Sequence, residues 1–408
     1  MNYQFQMDLK AEELDAFVKP CDACNILQSS KWALVKENWN HLYLGVREEN
    51  QLVATAMVLI KPLPLGYTMF YLPKGPILDY NNQELLSFFL QHLKQIAKQY
   101  KCLFIKIDPN IIKYRAIHAE FQDAIFPEAK KAVASMIACG CIHLGYSKVL
   151  GASIQPRFHS TVYFNENDFE NNLPKHTKRH IQTAKKRFVE IKQSGLSQIE
   201  AFTRLTKCTS ESKNIALRDQ AYFEHLMKVY GEDAQLFIAQ INLEKLLPSR
   251  IDEYNKVLKE LEGLSDHESA KYIQTLKRIA PLETEIEELR DIMKKEGTIV
   301  DAAGTLAVIY GSTCEMLYMG MDRRFQRYMA AYVSHVEPMK WALSKGCKTC
   351  NMGGIEGSLD DGLTKFKDNF NPMIVEFVGE FELPVNKLLY RAAHIAFNLR
   401  KKLLARHS

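Results

Sequence analysis

Up to about residue 150, short apolar runs alternate with stretches of helical spacing. Residues 42–46 and 52–60 read as the two strands of a hairpin turning at Glu48, Glu49 and Asn50, and 69–72 reads as a further strand. Residues 82–100 place their apolar side chains on one face of a helix. That helix delivers the chain to 102–108, a buried strand stopped by Pro109.

After Gly145 the same grammar begins again. A strand at 160–164 precedes a basic helix at 175–192, a helix at 222–229 and a strand at 236–239. Strands at 304–310 and 314–318, a helix from about 328 to 345 and a strand at 349–352 complete it. Two mixed α/β halves in tandem point to an internal duplication.

Between 243 and 295 the pattern changes to one rich in Glu, Lys and Leu. Apolar residues fall at Leu247, Ile251, Tyr254, Leu258 and Leu261, then at Tyr272, Leu276, Ile279, Leu282, Ile286, Leu289 and Met293. Gaps of three and four are heptad spacing, so the segment predicts an antiparallel two-helix arm, about 35–45 Å long at about 1.5 Å per residue. Residues 262–266 form the turn, with Asp266 as a helix cap, and Pro281 marks a kink or break in the second helix.

With 408 residues, 47% of them hydrophobic, the chain has apolar material for two domains. Its net charge of +5 is mild, so attraction to phosphate must come from local clustering, which argues against a general nucleic-acid coat protein. The start, Met1 to Gln6, lacks a basic segment followed by an apolar run, and no stretch approaches a span of about 20 apolar residues. A cytoplasmic protein is expected. Nine scattered cysteines fit a reducing compartment. Cys21 with Cys24 and Cys347 with Cys350 have zinc-site spacing, yet the second pair stands at the start of a strand, where alternation sends the two thiols to different environments. Neither a metal nor a cofactor is expected.

Three segments carry candidate chemistry. The basic helix presents Lys175, Lys178, Arg179, Lys185, Lys186, Arg187 and Lys192 against one acid, Glu190, a composition suited to lying along phosphates. Arg218 and Tyr222, four residues apart, share a helix face, where an Arg fork beside a phenol suits a diphosphate. In MGGIEGSLDDGLTKFKDNFNP, from Met352 to Pro372, glycines after a strand let backbone approach a ligand, and the turn that follows presents Phe366 and Lys367 side by side. There is no phosphate-binding Gly-x-x-x-x-Gly-Lys loop and no nucleophile elbow.

That last segment, followed by VEFVGEFELPVNKLLYR, resembles the C-terminal signature of the Fem/MurM family of peptidoglycan-branching, aminoacyl-tRNA-dependent transferases. The resemblance extends to QSSKWALVKENW, NIALRDQAYF and MLYMG, in the family's order over nearly the whole chain. It implies an α/β fold of two tandem acetyltransferase-like (GNAT) domains with an inserted antiparallel helical coiled-coil arm. The expected division is 1–150, completed by 379–408, for the first domain, 151–241 with 300–378 for the second, and 242–299 for the arm.

The resemblance also implies roles. Lys36, Arg218, Tyr222 and Tyr318 match residues lining the family's precursor cavity, where the lysine and the arginine meet a diphosphate. Phe366 and Lys367 match the pair associated with the tRNA acceptor end and the transfer step, and the basic helix becomes the candidate tRNA contact. The implied reaction moves Ala, Ser or Gly from aminoacyl-tRNA to the amine of the third stem-peptide residue, or to a first branch residue, of a nucleotide-linked or lipid-linked muropeptide. Peripheral contact with the inner face of the membrane would follow from a lipid-linked acceptor. Lys367 is then the candidate charge for the developing oxyanion, and Asp108, Asp360 or a substrate carboxylate the candidate base.

Two other readings compete. An acetyl-CoA-dependent N-acetyltransferase needs a glycine-rich pyrophosphate turn that residues 322–330 lack. A non-catalytic RNA-binding scaffold would use the arm and the basic helix but leaves the Phe366-Lys367 segment without a purpose.

Overall fold

The computed structural model describes residues 2–164, 169–213 and 218–395. In the first half the strands are β1 (Tyr3–Gln6), β2 (Asn40–Glu48), β3 (Gln51–Pro62), β4 (Thr68–Lys74), β5 (Cys102–Pro109), β6 (Ile112–Ile117) and β7 (Ile142–His143). The second half supplies β8 (Phe158–Tyr163), β9 (Val189–Ser194), β10 (Ala234–Asn242), β11 (Ile299–Tyr310) and β12 (Thr313–Met321), then β13 (Thr349–Ile355), β14 (Met373–Phe377) and β15 (Phe381–Pro384).

Among the described residues these form two mixed sheets, ordered β1-β2-β3-β4-β5-β15-β7 and β6-β14-β8-β13-β12-β11-β10-β9. The sheets exchange strands. β6 falls within the stretch expected to form the first domain, yet it pairs with β14 in the second sheet, while β15 runs antiparallel to β5 in the first. Residues 396–408 lie outside the described residues.

The helix Gln83–Gln99 shows why the first core forms: Leu85, Leu86, Phe89, Leu90, Leu93, Ile96 and Ala97 recur at helical spacing and are buried, and Asn82 caps the Leu85 amide. A second apolar cluster joins the halves, bringing Trp32 and Phe104 together with Phe223, Tyr230 and Tyr310. Burial on this scale makes the relative placement of the halves part of the fold rather than a loose tether.

The arm consists of helices Leu243–Glu262, Ala270–Leu276 and Ile279–Glu296. Its register is antiparallel: Leu243 N donates to Thr298 O, Arg250 pairs with Glu285, and Arg278 with Glu260. Several expectations change. The first helix spans about 30 Å at about 1.5 Å per residue, less than the anticipated length. The buried positions include Leu246, Arg250, Val257, Thr275, Leu282, Glu285, Ile286 and Leu289, while Leu276 is exposed. The seam therefore departs from the expected heptad set, because a buried ion pair occupies its base. Ser269, not Asp266, caps the second helix, accepting from the Tyr272 amide. The break precedes Pro281, which sits in the first turn of Ile279–Glu296, where its missing N–H costs nothing.

Candidate functional site

Ser29 caps the helix Ser30–Val35 by accepting from the Trp32 amide, and its hydroxyl also meets the Tyr230 hydroxyl at 2.8 Å. Asp219 caps the helix Gln220–Tyr230 through the Tyr222 amide. The shared Ser29–Tyr230 contact holds the two helices together, so Lys36 at the end of one faces Arg218 and Tyr222 at the start of the other. The Lys36 ammonium lies 4.8 Å from the Trp32 ring centroid and 5.9 Å from that of Tyr222, and the Arg218 guanidinium lies 5.0 Å from the Tyr222 ring. Tyr318, on β12, donates to the Tyr222 hydroxyl at 3.2 Å and stands behind it. Asn214, Ile215, Ala216 and Leu217 of the same motif lie outside the described residues.

Lys36, Arg218 and Tyr222 border a cleft of about 730 Å³, which Trp39, Tyr71 and Gln155 also line, whereas Tyr318, expected in the cavity wall, reaches it only through the Tyr222 hydroxyl. Burial, and then the neighbouring Arg218, pushes Lys36 down to about 8. A guanidinium that disfavours the charge on the lysine facing it describes a site completed by an anion.

Phe366 and Lys367 differ from expectation. They belong to a helix, Gly362–Asp368, whose first turn Asp361 caps through the Leu363 and Thr364 amides. Successive helical residues project about 100° apart, so the pair diverges. Lys367 is 1% exposed, and its ammonium donates to the carbonyls of Gly353 at 3.1 Å and Gly354 at 3.0 Å. Those carbonyls converge because β13 slips register between Asn351 and Gly354, and Gly353 adopts φ 83°, a conformation open to glycine and strained for other residues. Phe366 instead packs edge-on against Tyr332, His335 and Phe370.

The basic helix Lys175–Lys186 lies beside this element: His176 bonds Asn369 at 2.6 Å, and His180 packs on Tyr332 at 4.6 Å. Lys175, Lys178, Arg179, Lys185 and Lys186 are exposed, while Arg187 is partly buried and faces Glu253 of the arm at 3.9 Å. The helix stops at Lys186, and β9 takes over at Val189, so Lys192 belongs to a strand rather than to the same face.

Between the cleft and Lys367 runs a buried polar row that periodicity did not reveal. Tyr71, at the cleft wall, is held above its ordinary value by burial and by Asp108. Asp108 meets the Lys74 ammonium at 3.4 Å through Oδ1, and its Oδ2 has no hydrogen-bond partner among the described residues. Burial raises Asp108 to about 6, outweighing the lowering effect of Lys74. Burial, then the charges of Lys74 and Lys367, holds His159 at about 3, hence neutral, while Asn351 bonds its ring at 2.8 Å. Glu315 is raised to about 8 by burial. The sequence signal for this row was polar residues interrupting apolar strands, at Lys74, Asp108, His159 and Glu315. Asp360 is exposed and bonds Ser358 at 2.7 Å.

Cys347 and Cys350 share one buried apolar cluster, so the expected separation of their environments does not hold: Cys347 precedes the strand, which starts at Thr349. Among the described residues no group of three or more potential ligand side chains converges. Likewise, among the described residues no helix is long and apolar enough to cross a membrane.

The FemAB family model matches residues 9–398. The Lipid II:glycine glycyltransferase of Staphylococcus epidermidis is 27% identical over 405 residues, 94% of this chain and 94% of that protein. The crystal structure of FemX aligns with a TM-score of 0.75 at 26% identity, covering 96% of this chain and 99% of FemX. A tandem GNAT protein from the clavulanic acid biosynthesis pathway aligns with a TM-score of 0.50 at 8% identity, over 94% of this chain and 99% of its own, a likeness of fold alone.

Proposed function

Because this chain belongs to the FemAB family, we propose that it is an aminoacyltransferase, moving Ala, Ser or Gly from aminoacyl-tRNA to a stem-peptide or first-branch amine of a peptidoglycan precursor. The observation that carries the reading is the pairing of Lys36 and Arg218 across one cleft, with Lys36 depressed to about 8. Two cations lining one cleft suit a diphosphate, the group a nucleotide-linked and a lipid-linked muropeptide have in common. Tyr222 stacks beneath the guanidinium, and Tyr318 fixes the Tyr222 hydroxyl.

The chemistry is aminolysis of an activated ester. A C–N bond forms, the C–O bond to the terminal ribose breaks, the ribose hydroxyl leaves with a proton, and the attacking amine gives one up. No covalent enzyme intermediate is required, so positioning and charge stabilisation suffice. Asp108 is the candidate base: a carboxylate near 6 with one unbonded oxygen, behind the cleft wall at Tyr71, is poised to accept a proton at neutral pH.

Phe366 and the basic helix are the candidate contacts for the tRNA acceptor end, since His180, Tyr332 and Phe366 form one continuous packing. Lys367, enclosed by backbone, acts through its field in a low-dielectric interior rather than from the surface. The acetyl-CoA reading loses further ground at 322–330. There Arg324 is bound by Asp322 and Glu296, and Arg327 by Glu288, leaving these guanidinia committed to carboxylates.

The deciding experiment supplies labelled alanyl-, seryl- and glycyl-tRNA with the nucleotide-linked and the lipid-linked acceptor in turn. Transfer to neither acceptor would overturn the proposal.

A further inference from the structure

A second groove, of about 570 Å³, lies away from the cleft at the β7 edge of the first sheet. Its walls include the apolar side chains of Leu90, Ile142 and Leu383, its cations are Lys94, Lys387 and Arg391, and among the described residues no carboxylate lines it. Lys94 is lowered by burial and by the charges of Lys98 and Lys387, so the cations crowd one another.

The helix at 387–395 closes one side. Asn386 caps it through the Leu388 amide at 2.9 Å. Its inner face is fixed to the sheet: Tyr390 and His394 both bond Glu382 at 2.8 Å, and their rings pack on Phe104. The opposite face turns Lys387, Leu388, Arg391 and Ile395 outward, at helical spacing. Leu388 is 77% exposed and Ile395 62%, and Ile142, on the groove wall, is 43% exposed. From Leu383 to Ser408 the sequence contains no Asp or Glu.

We propose that this groove and the outward face of 387–395 dock the protein on an anionic phospholipid surface, with a lipid phosphate among Lys94, Lys387 and Arg391. Leu388, Ile395 and Ile142 enter the acyl boundary, as the apolar face of an interfacial helix does. Charge complementarity selects an anion, and the aliphatics select a bilayer over RNA, which would leave them in water. The inference deepens the proposed transfer, since a docked enzyme meets a lipid-linked acceptor at its own plane.

The full-length protein is sedimented with vesicles of phosphatidylcholine alone and of phosphatidylcholine mixed with phosphatidylglycerol. Binding to the mixed vesicles only is expected, and it should weaken with salt. The variant Lys94→Gln/Lys387→Gln/Arg391→Gln should bind about a hundredfold more weakly, roughly fivefold for each cation removed. Leu388→Ser should bind several-fold more weakly, and a chain ending at residue 395 should still bind. Lys387, Leu388 and Arg391 are exposed and Lys94 is half-buried, and unchanged circular dichroism would confirm intact variants. Four results would each overturn the proposal: equal binding to both vesicles; undiminished binding by the triple variant; loss of tRNA binding with vesicle binding kept; or loss of binding on truncation at 395. Transfer to a soluble nucleotide-linked acceptor by the triple variant should be unchanged, so a failure of docking and a failure of the transfer reading are separable.

Discussion

Replacing Arg218 by alanine tests the diphosphate site without threatening the fold, because Arg218 is exposed at the cleft rim. Two effects follow from the geometry. The first is loss of the guanidinium's charge-assisted bonds, worth about 1.5–3 kcal/mol each. The second is relief of Lys36, which Arg218 helps to hold at about 8. At pH 7 a lysine with that value is already about 90% protonated, so restoring the rest offsets only about 0.1 kcal/mol. The first effect dominates, and Kd for the precursor should rise about tenfold to about a hundredfold, measured by titration calorimetry. Arg218→Lys should recover part of this, lacking the bidentate fork. The ratio should shrink by pH 9, where wild-type Lys36 has lost most of its charge and the variant's Lys36 has kept more. The KM for aminoacyl-tRNA should stay constant. If the tRNA constant moves and the precursor constant does not, Arg218 belongs to the acceptor-stem site and the two cavities are exchanged.

Lys367→Met should abolish transfer and also lower the melting temperature by several degrees, because the Gly353 and Gly354 carbonyls lose a buried donor at about 1–3 kcal/mol each; an unchanged melting curve would refute the buried role. For Asp108, raised to about 6, kcat/KM should fall as pH drops below that value, since the protonated acid accepts no proton, and Asp108→Asn should remove this limb. A profile flat down to pH 5 would exclude it as the base. Shortening the arm between 254 and 282 should leave soluble, folded protein, whereas excising 243–295 should not. Leu243, Leu246 and Leu289 are packed in a core cluster with Ile241 and Val300, so core contacts cross the arm's base. Equal solubility of both deletions would refute that distinction.

Local patterning determined the hairpin of β2 and β3, the helix Gln83–Gln99 and the helical character of the arm, because each depends on side chains within a few residues of one another. The Lys36, Arg218 and Lys367 motifs were legible for a different reason: each sits in a short, ordered string whose resemblance survives without coordinates. Tertiary structure alone decided how those strings meet. The Ser29–Tyr230 contact that sets Lys36 against Arg218 joins residues 201 positions apart, and no periodicity encodes such a pair. Nor does periodicity show what surrounds a polar residue. Lys367 reads as a turn lysine until the slipped register of β13 turns two carbonyls onto it, and Asp108 reads as the end of a strand until burial lifts its pKa. The placement of β6 in the second sheet has the same origin. Hydrophobic spacing records which face of an element is covered, while the identity of what covers it is settled only when distant parts of the chain close on one another.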